Sequence, residues 1–115
     1  MELNVTVQLQ SGEWKSKLRP YCKTVREACA AALLHTRLAR YKCRFTLAVV
    51  LADDDFIREL NHTYRSKDKP TNVLSFPSVE GLEGQVAARL KGQEEFELGD
   101  IIMAYSTVAR EAVEQ

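Results

Sequence analysis

Residues 61–77, NHTYRSKDKPTNVLSFP, decide how this chain of 115 residues is read. Asn61 to Tyr64 reads as the end of a helix with Arg65 directly after it, and Ser66 to Pro70 as a tight Asp-Lys-Pro turn. Thr71 to Phe76 then forms an apolar strand, closed by Pro77. Arg65, Lys67 and Lys69 crowd around Asp68 within that turn. Short basic loops on the lip of a buried strand are where proteins commonly hold phosphates, because loops tolerate functional side chains and guanidinium groups match phosphate oxygens in pairs.

Upstream, the pattern alternates between strand and helix. Leu3, Val5, Val7 and Leu9 are apolar and Asn4, Thr6, Gln8 and Gln10 polar, a period of two that predicts a half-buried strand ended by Ser11-Gly12. Leu18 to Leu38 predicts one helix with Pro20 in its first turn, where a missing N–H costs nothing. Its buried stripe is Leu18, Cys22, Val25, Cys29, Ala32 and Leu33, at helical spacing. Phe45 to Ala52 is almost wholly apolar, which predicts a central strand covered on both faces. Asp53-Asp54-Asp55 caps the next helix, since acids favour the positive end of the macrodipole. The run lacks the glycine and later glutamate of a calcium loop, so capping is preferred to cation binding. Phe56, Ile57, Leu60 and Tyr64 mark that helix's buried face.

Downstream of the basic turn, Ser78 to Glu97 carries Gly81, Gly84 and Gly92 and little periodicity. It reads as a mobile connection with a helical turn around Val86 to Leu90. Leu98 to Ala104 predicts a fourth strand. Ser106 or Thr107 would cap a last helix with Val108, Ala109, Ala112 and Val113 inward, and no C-cap signal follows.

Sixteen basic residues balance sixteen acidic ones, so nucleic-acid contact would have to come from a local patch rather than a global field. No apolar run is long enough to cross a bilayer, and no basic leader precedes an apolar block, so a cytoplasmic location is expected. Cys22, Cys29 and Cys43 form no C-x-x-C pair. On one helix Cys22 and Cys29 would lie about 10 Å apart, too far to bridge, so reduced thiols serving as small hydrophobes are expected.

Chemistry alone leaves Arg65 with two roles: a bidentate grip on phosphate, or a solvated cation complementing a helix C-terminus. Lys67 and Lys69 extend a phosphate path or simply solvate a turn. Asp68 is expected to hydrogen-bond its own turn. Asn72 and Ser75 interrupt an apolar strand, so they either bond nearby backbone or face a cleft with Thr71. Asp100, costly to bury alone, is a candidate partner for Arg65. His35 and His62 are the only histidines and sit on different elements without ligand spacing, so they are not expected to form a metal site.

The order Tyr64-Arg65-x-Lys67-Asp68-Lys69-Pro70-Thr71-Asn72-Val73-Leu74-Ser75-Phe76-Pro77 closely resembles the signature of the YbeY family, bacterial zinc-dependent endoribonucleases that act in ribosomal RNA maturation. Leu98-Gly99-Asp100-Ile101 is a second match, and the resemblance covers most of the chain. It implies an α+β fold, a mixed four-stranded sheet with helices packed around it in the zinc-hydrolase-like manner of YbeY. Residues 1–115 would be one domain and the N-terminal part of that fold. Arg65 falls on the family's arginine, which implies a catalytic role steadying charge on the phosphoryl group. Lys67, Lys69, Thr71, Asn72 and Ser75 are then the candidate substrate-binding residues.

The family binds Zn2+ through a C-terminal H-G-x-L-H-L-x-G-x-D-H motif, in which histidines four apart share a helix face. This sequence contains no such motif, so no metal ligand is assigned, and the 115 residues alone are expected neither to hold zinc tightly nor to cleave RNA. The implied activity is a metal-dependent endoribonuclease specific for single strands, acting in 16S rRNA maturation and ribosome quality control. Its implied partners are ribosomal RNA, the small ribosomal subunit, ribosomal proteins and the GTPase Era, with no membrane. Two alternatives use the same residues: a ribosome- or RNA-binding module without catalysis, and a metalloprotease-like hydrolase.

Overall fold

The computed structural model describes residues 2–18, 20–79, 84 and 95–114. The elements are β1 (Glu2–Leu9), α1 (Glu13–Lys17), α2 (Tyr21–Leu34), a 3-10 turn (Arg37–Arg40), β2 (Arg44–Ala52), α3 (Asp54–Arg65), β3 (Val73–Pro77), β4 (Glu95–Ala104) and α4 (Tyr105–Glu114). The strands form a four-stranded sheet in the order β1-β2-β4-β3. β1 and β4 both run parallel to β2, while β3 returns antiparallel along the outer edge of β4. The fold is therefore α+β with a mixed sheet, as expected.

Register fixes what each face of the sheet meets. Val5, Leu47, Gly99 and then Val7, Val49, Ile101 line up across the three parallel strands. This row packs under α2, where Val5, Trp14, Val25, Val49 and Leu51 form one buried cluster. The alternate residues Ala52, Leu74, Ile102 and Ala104 turn to the other face and enclose Ile57 of α3. Phe45, Val49, Leu51 and Ile57 are almost fully buried, each withdrawal from water contributing about 1.5–3 kcal/mol. The strand expected to be central, β2, lies between β1 and β4.

Several boundaries differ from expectation for physical reasons. The single helix from Leu18 to Leu38 is broken at both ends. Pro20 is extended, at φ −80° and ψ 116°, so it precedes α2 as a cap rather than joining its first turn. At the other end the Thr36 hydroxyl accepts from the Leu38 N–H at 3.2 Å, starting a separate 3-10 turn that buries Leu38. Trp14, in the unpredicted α1, donates its indole N–H to the Ala52 carbonyl at 2.8 Å and meets Tyr105 edge-on. β3 starts at Val73 rather than Thr71, and β4 starts at Glu95 rather than Leu98. The expected connection with a helical turn at Val86 to Leu90 lies outside the described residues.

Asp53 caps α3 as expected, its Oδ1 accepting from the Phe56 N–H at 2.8 Å. Its neighbour does something the sequence did not show. The Asp54 carboxylate accepts from the Thr107 N–H at 3.3 Å and from its hydroxyl at 3.1 Å, so α3 caps the start of α4 across the fold. This replaces the expected cap by Ser106 or Thr107, since α4 begins at Tyr105 and Thr107 lies within its first turn. Val113 was expected inward but is 87% exposed. Buried polar contact is concentrated at Thr107 in the first turn, and Ala112 to Glu114 face solvent.

A bulge sits where β4 passes β2. Thr46 pairs with Glu97 and Leu47 with Gly99, leaving Leu98 as the extra residue. Gly99 adopts φ +133°, a region that residues with a Cβ rarely enter. The chain leaving β3 crosses directly over it: the Ser78 N–H donates to the Leu98 carbonyl at 3.0 Å, and the Ser78 hydroxyl to the Glu97 carbonyl.

Candidate functional site

The C-terminal turn of α3 sets the site. Ser66 ends the helix in the left-handed region, at φ 55° and ψ 31°. The Ser66 N–H returns to the His62 carbonyl at 3.1 Å and the Lys67 N–H to the Asn61 carbonyl at 3.3 Å. Such a cap reverses the chain sharply, and it swings Lys67 and Lys69 back beside Arg65. Left-handed backbone costs a residue with a side chain roughly 1–2 kcal/mol, so the turn is held at some expense.

Asn61 fastens this turn from within. It is 1% exposed, and its Nδ2 donates to the Lys69 carbonyl at 2.8 Å. Its Oδ1 is buried with no hydrogen-bond partner.

Arg65, Lys67, Lys69, Thr71 and Asn72 converge on one pocket of about 360 Å³, together with Asn61, Pro70, Thr107 and Glu111. Three cations face one carboxylate there, in a protein whose formal net charge is zero. Arg65, Lys67 and Lys69 are exposed, and Thr71 and Asn72 are half-buried at the entry to β3. Asn72 also shapes its own backbone, with Oδ1 accepting from the Val73 N–H at 2.7 Å and its carbonyl from the Ala104 N–H at 2.9 Å.

Ser75 is not brought to this pocket. Its strand partner is Ile101, on the α2 face, and it lines an apolar groove of about 300 Å³ with Leu33, Leu98 and Ile101. A second apolar groove, about 540 Å³, lies between α2 and α4 over Val49 and Met103. Both grooves are lined mainly by apolar side chains, whereas the pocket of Arg65 is lined mainly by polar and charged ones.

Asp68 does not bond its own turn as expected. Arg58 Nε donates to Asp68 Oδ1 at 2.8 Å and its Nη2 to Oδ2 at 3.3 Å. Hydrogen bonding to Arg58, then the charge of that guanidinium, holds the Asp68 carboxyl below the usual carboxylate range, and the same pair raises Arg58. With both oxygens engaged by Arg58, Asp68 forms no ion pair with Lys67 or Lys69 among the described residues. A depressed folded-state pKa means the pair favours folding above the ordinary aspartate range and loses that contribution as pH falls through the depressed value. Carboxyl NMR should therefore place the Asp68 midpoint below an ordinary aspartate, and Arg58→Gln should move it up. An unchanged midpoint in Arg58→Gln would remove the assigned cause.

The expected pairing of Arg65 with Asp100 is absent. The ion pairs among the described residues are Lys23–Glu27, Arg44–Glu2 and Arg58–Asp68. Asp100 lies exposed within β4 opposite Phe76, and the carboxylate that shares the pocket of Arg65 is Glu111.

Asn61, Thr107 and Glu111 also line the pocket and were not assigned to the site from the sequence. Asn61 and Arg65 are four apart on α3, as are Thr107 and Glu111 on α4, a spacing that places each pair on one helix face. That signal was available, whereas the approach of α4 to α3 depends on the Asp54–Thr107 contact.

The family model described as endoribonuclease YbeY matches residues 7–115. The chain belongs to the YbeY family. The endoribonuclease YbeY of Parvibaculum lavamentivorans is 37% identical over 113 residues, which cover 98% of this chain and 58% of that protein. That of Rhizobium meliloti is 33% identical over 115 residues, 97% of this chain and 64% of the relative. A shorter match to the Rhodopseudomonas palustris strain HaA2 protein reaches 56% identity over 66 residues. This YbeY-family chain thus spans about six-tenths of the length of the relatives it matches end to end.

A metal is implied by the family reading, and the described residues do not make a cage for it. Among the described residues, no three His, Cys, Asp or Glu side chains gather as a metal site. His35 caps the end of α2 and His62 lies in the last turn of α3, both exposed. The three thiols are free, and burial raises the pKa of Cys29 and Cys43. None of the described helices is long and apolar enough to cross a membrane.

Proposed function

We propose that this YbeY-family chain grips the phosphodiester backbone of single-stranded RNA for an endoribonuclease acting in 16S rRNA maturation and ribosome quality control in the cytoplasm. The observation that carries the reading is the convergence of Arg65, Lys67, Lys69, Thr71 and Asn72 on one pocket. Arg65 meets the phosphate with two parallel hydrogen bonds, a geometry its planar guanidinium fits better than a lysine does. Lys67 and Lys69 hold the neighbouring backbone as point charges. The Thr71 hydroxyl and the Asn72 amide offer further hydrogen bonds at the pocket floor. Asn61 keeps the lysine loop in place, and the Arg58–Asp68 pair keeps the lysines unneutralised.

Ser75 belongs to the proposed substrate path only where a strand extends to the far face of β3. Zn2+ would supply hydroxide to the reaction when bound, and the described residues offer no ligand set for it. Ribosomal RNA, the small subunit, ribosomal proteins and the GTPase Era are the proposed partners. Phosphate recognition by the pocket favours RNA over a peptide substrate.

Titrating the 115-residue protein into labelled single-stranded RNA, its duplex and casein tests the proposal. The single strand should bind most tightly, with affinity falling as salt rises because counterions are released. It should be recovered uncut, with no zinc retained after dialysis. Equal or tighter binding of duplex, or salt-insensitive binding, would overturn the phosphate reading.

A further inference from the structure

Helical spacing put Tyr64 on the buried face of α3, yet its side chain is 66% exposed. It stands immediately before Arg65, and its ring lies edge-on to Phe76, with centroids 5.3 Å apart and planes at 68°. Phe76 is half-buried against the cluster around Ile57 and Leu74, so Tyr64 is steadied from below by the core. An edge-on contact occupies one side of the pair and leaves aromatic surface on Tyr64 facing water.

We propose that Tyr64 is a stacking platform for one unpaired base of the RNA strand whose backbone the basic pocket holds. The inference rests on the phosphate-gripping function proposed above and adds a base-binding subsite to it. Adjacent residues on a helix have Cα atoms about 3.8 Å apart and project about 100° from one another. Tyr64 stands outside the lining of the basic pocket but directly beside Arg65, close enough for one nucleotide to set its phosphate against Arg65 and its base against Tyr64. Every base has a π-face, so such a platform tolerates any sequence. In a duplex both faces of each base are covered by its neighbours, and the platform accepts only a base that is already unstacked. Single-strand preference thus follows from an aromatic ring beside a cation cluster.

The test separates base from backbone. A labelled oligouridylate and an abasic oligoribonucleotide of equal length carry the same phosphates and differ in bases. The unaltered protein should bind the uridylate roughly 5- to 150-fold more tightly than the abasic strand, the span set by one stacked base. Tyr64→Leu should bring the two affinities close together by weakening only the uridylate. Tyr64→Phe and Tyr64→Trp should keep the preference, and circular dichroism of all three should match the parent. A Tyr64→Leu protein that keeps the preference, or that loses both strands equally, overturns the platform. Equal binding of both strands by the unaltered protein overturns it while leaving phosphate recognition intact. Binding of neither strand overturns the phosphate reading and this inference with it.

Discussion

Gly99→Ala is expected to destabilise the fold by on the order of 2–5 kcal/mol, combining a disallowed backbone angle with a steric clash. At φ +133° a side chain strains the backbone whatever space surrounds it. Here there is no space either. A Cβ on Gly99 would press on the Phe76 carbonyl oxygen and come within 2.9 Å of Pro77 Cα and Ser78 N. Those atoms are backbone, so no side-chain rotation relieves the contact. The chain must shift β3 outward or undo the bulge at Leu98, and either change moves the β3 entry that carries Thr71 and Asn72. Thermal unfolding of Gly99→Ala should show a midpoint lower by roughly 10 °C or more, and urea unfolding a lower midpoint concentration. Gly12→Ala is the matching control, because Gly12 has helical dihedrals and open space around its would-be Cβ. It should be neutral or slightly stabilising. A Gly99→Ala protein as stable as Gly12→Ala would refute the close-crossing argument.

The contrast between Gly99 and Tyr64 shows what the sequence carried. Period-two and apolar runs placed β1 and β2 almost to the residue, because a strand's covered faces are written in its own side chains. The acid run at Asp53 to Asp55 marked the start of α3 for the same local reason. The basic turn brought five of its six assigned residues into one pocket, since a tight cap at Ser66 leaves the following residues little choice. Facts that depend on packing between distant elements stayed hidden. Tyr64 has helical spacing for burial, but the turn after Arg65 carries the chain away before anything covers it. Asp54 reads as a first-turn acid, and only the arrival of α4 gives it Thr107 to cap. Ser75 reads as a polar residue near the others, yet strand alternation sends it to the opposite face. Gly99 was legible as part of a motif, whereas its reason is a backbone crossing at β3 that no local pattern records.

Arg65→Ala should reduce single-stranded RNA affinity by roughly 10- to 100-fold, the usual worth of a charged, bidentate hydrogen-bonded contact. The residue is exposed, so its removal leaves no buried group unpaired and the fold should be unaffected. That separates it from Asn61, whose replacement would release the Lys69 carbonyl and disturb the whole loop. Loss of one phosphate contact should also flatten the salt dependence by about 0.7 in the log-log slope for a single strand. Arg65→Lys preserves the charge and should restore most of that slope, but only part of the affinity, because an ammonium cannot make the parallel pair of bonds. Lys67→Ala and Lys69→Ala should each flatten the slope in the same way with a smaller loss of affinity. Carried into a zinc-loaded YbeY endoribonuclease that cleaves RNA, the Arg65→Ala change should lower kcat by on the order of 10²–10³-fold, since the guanidinium would there meet charge that builds in the transition state. The two lysines, which hold backbone on either side, should act mainly on KM. Measuring kcat and KM separately for the three alanine variants distinguishes these roles. If Arg65→Ala binds the strand with unchanged affinity and salt slope, Arg65 is a solvated helix-end cation and the pocket's chemistry must be reassigned to Lys67, Lys69 and Glu111.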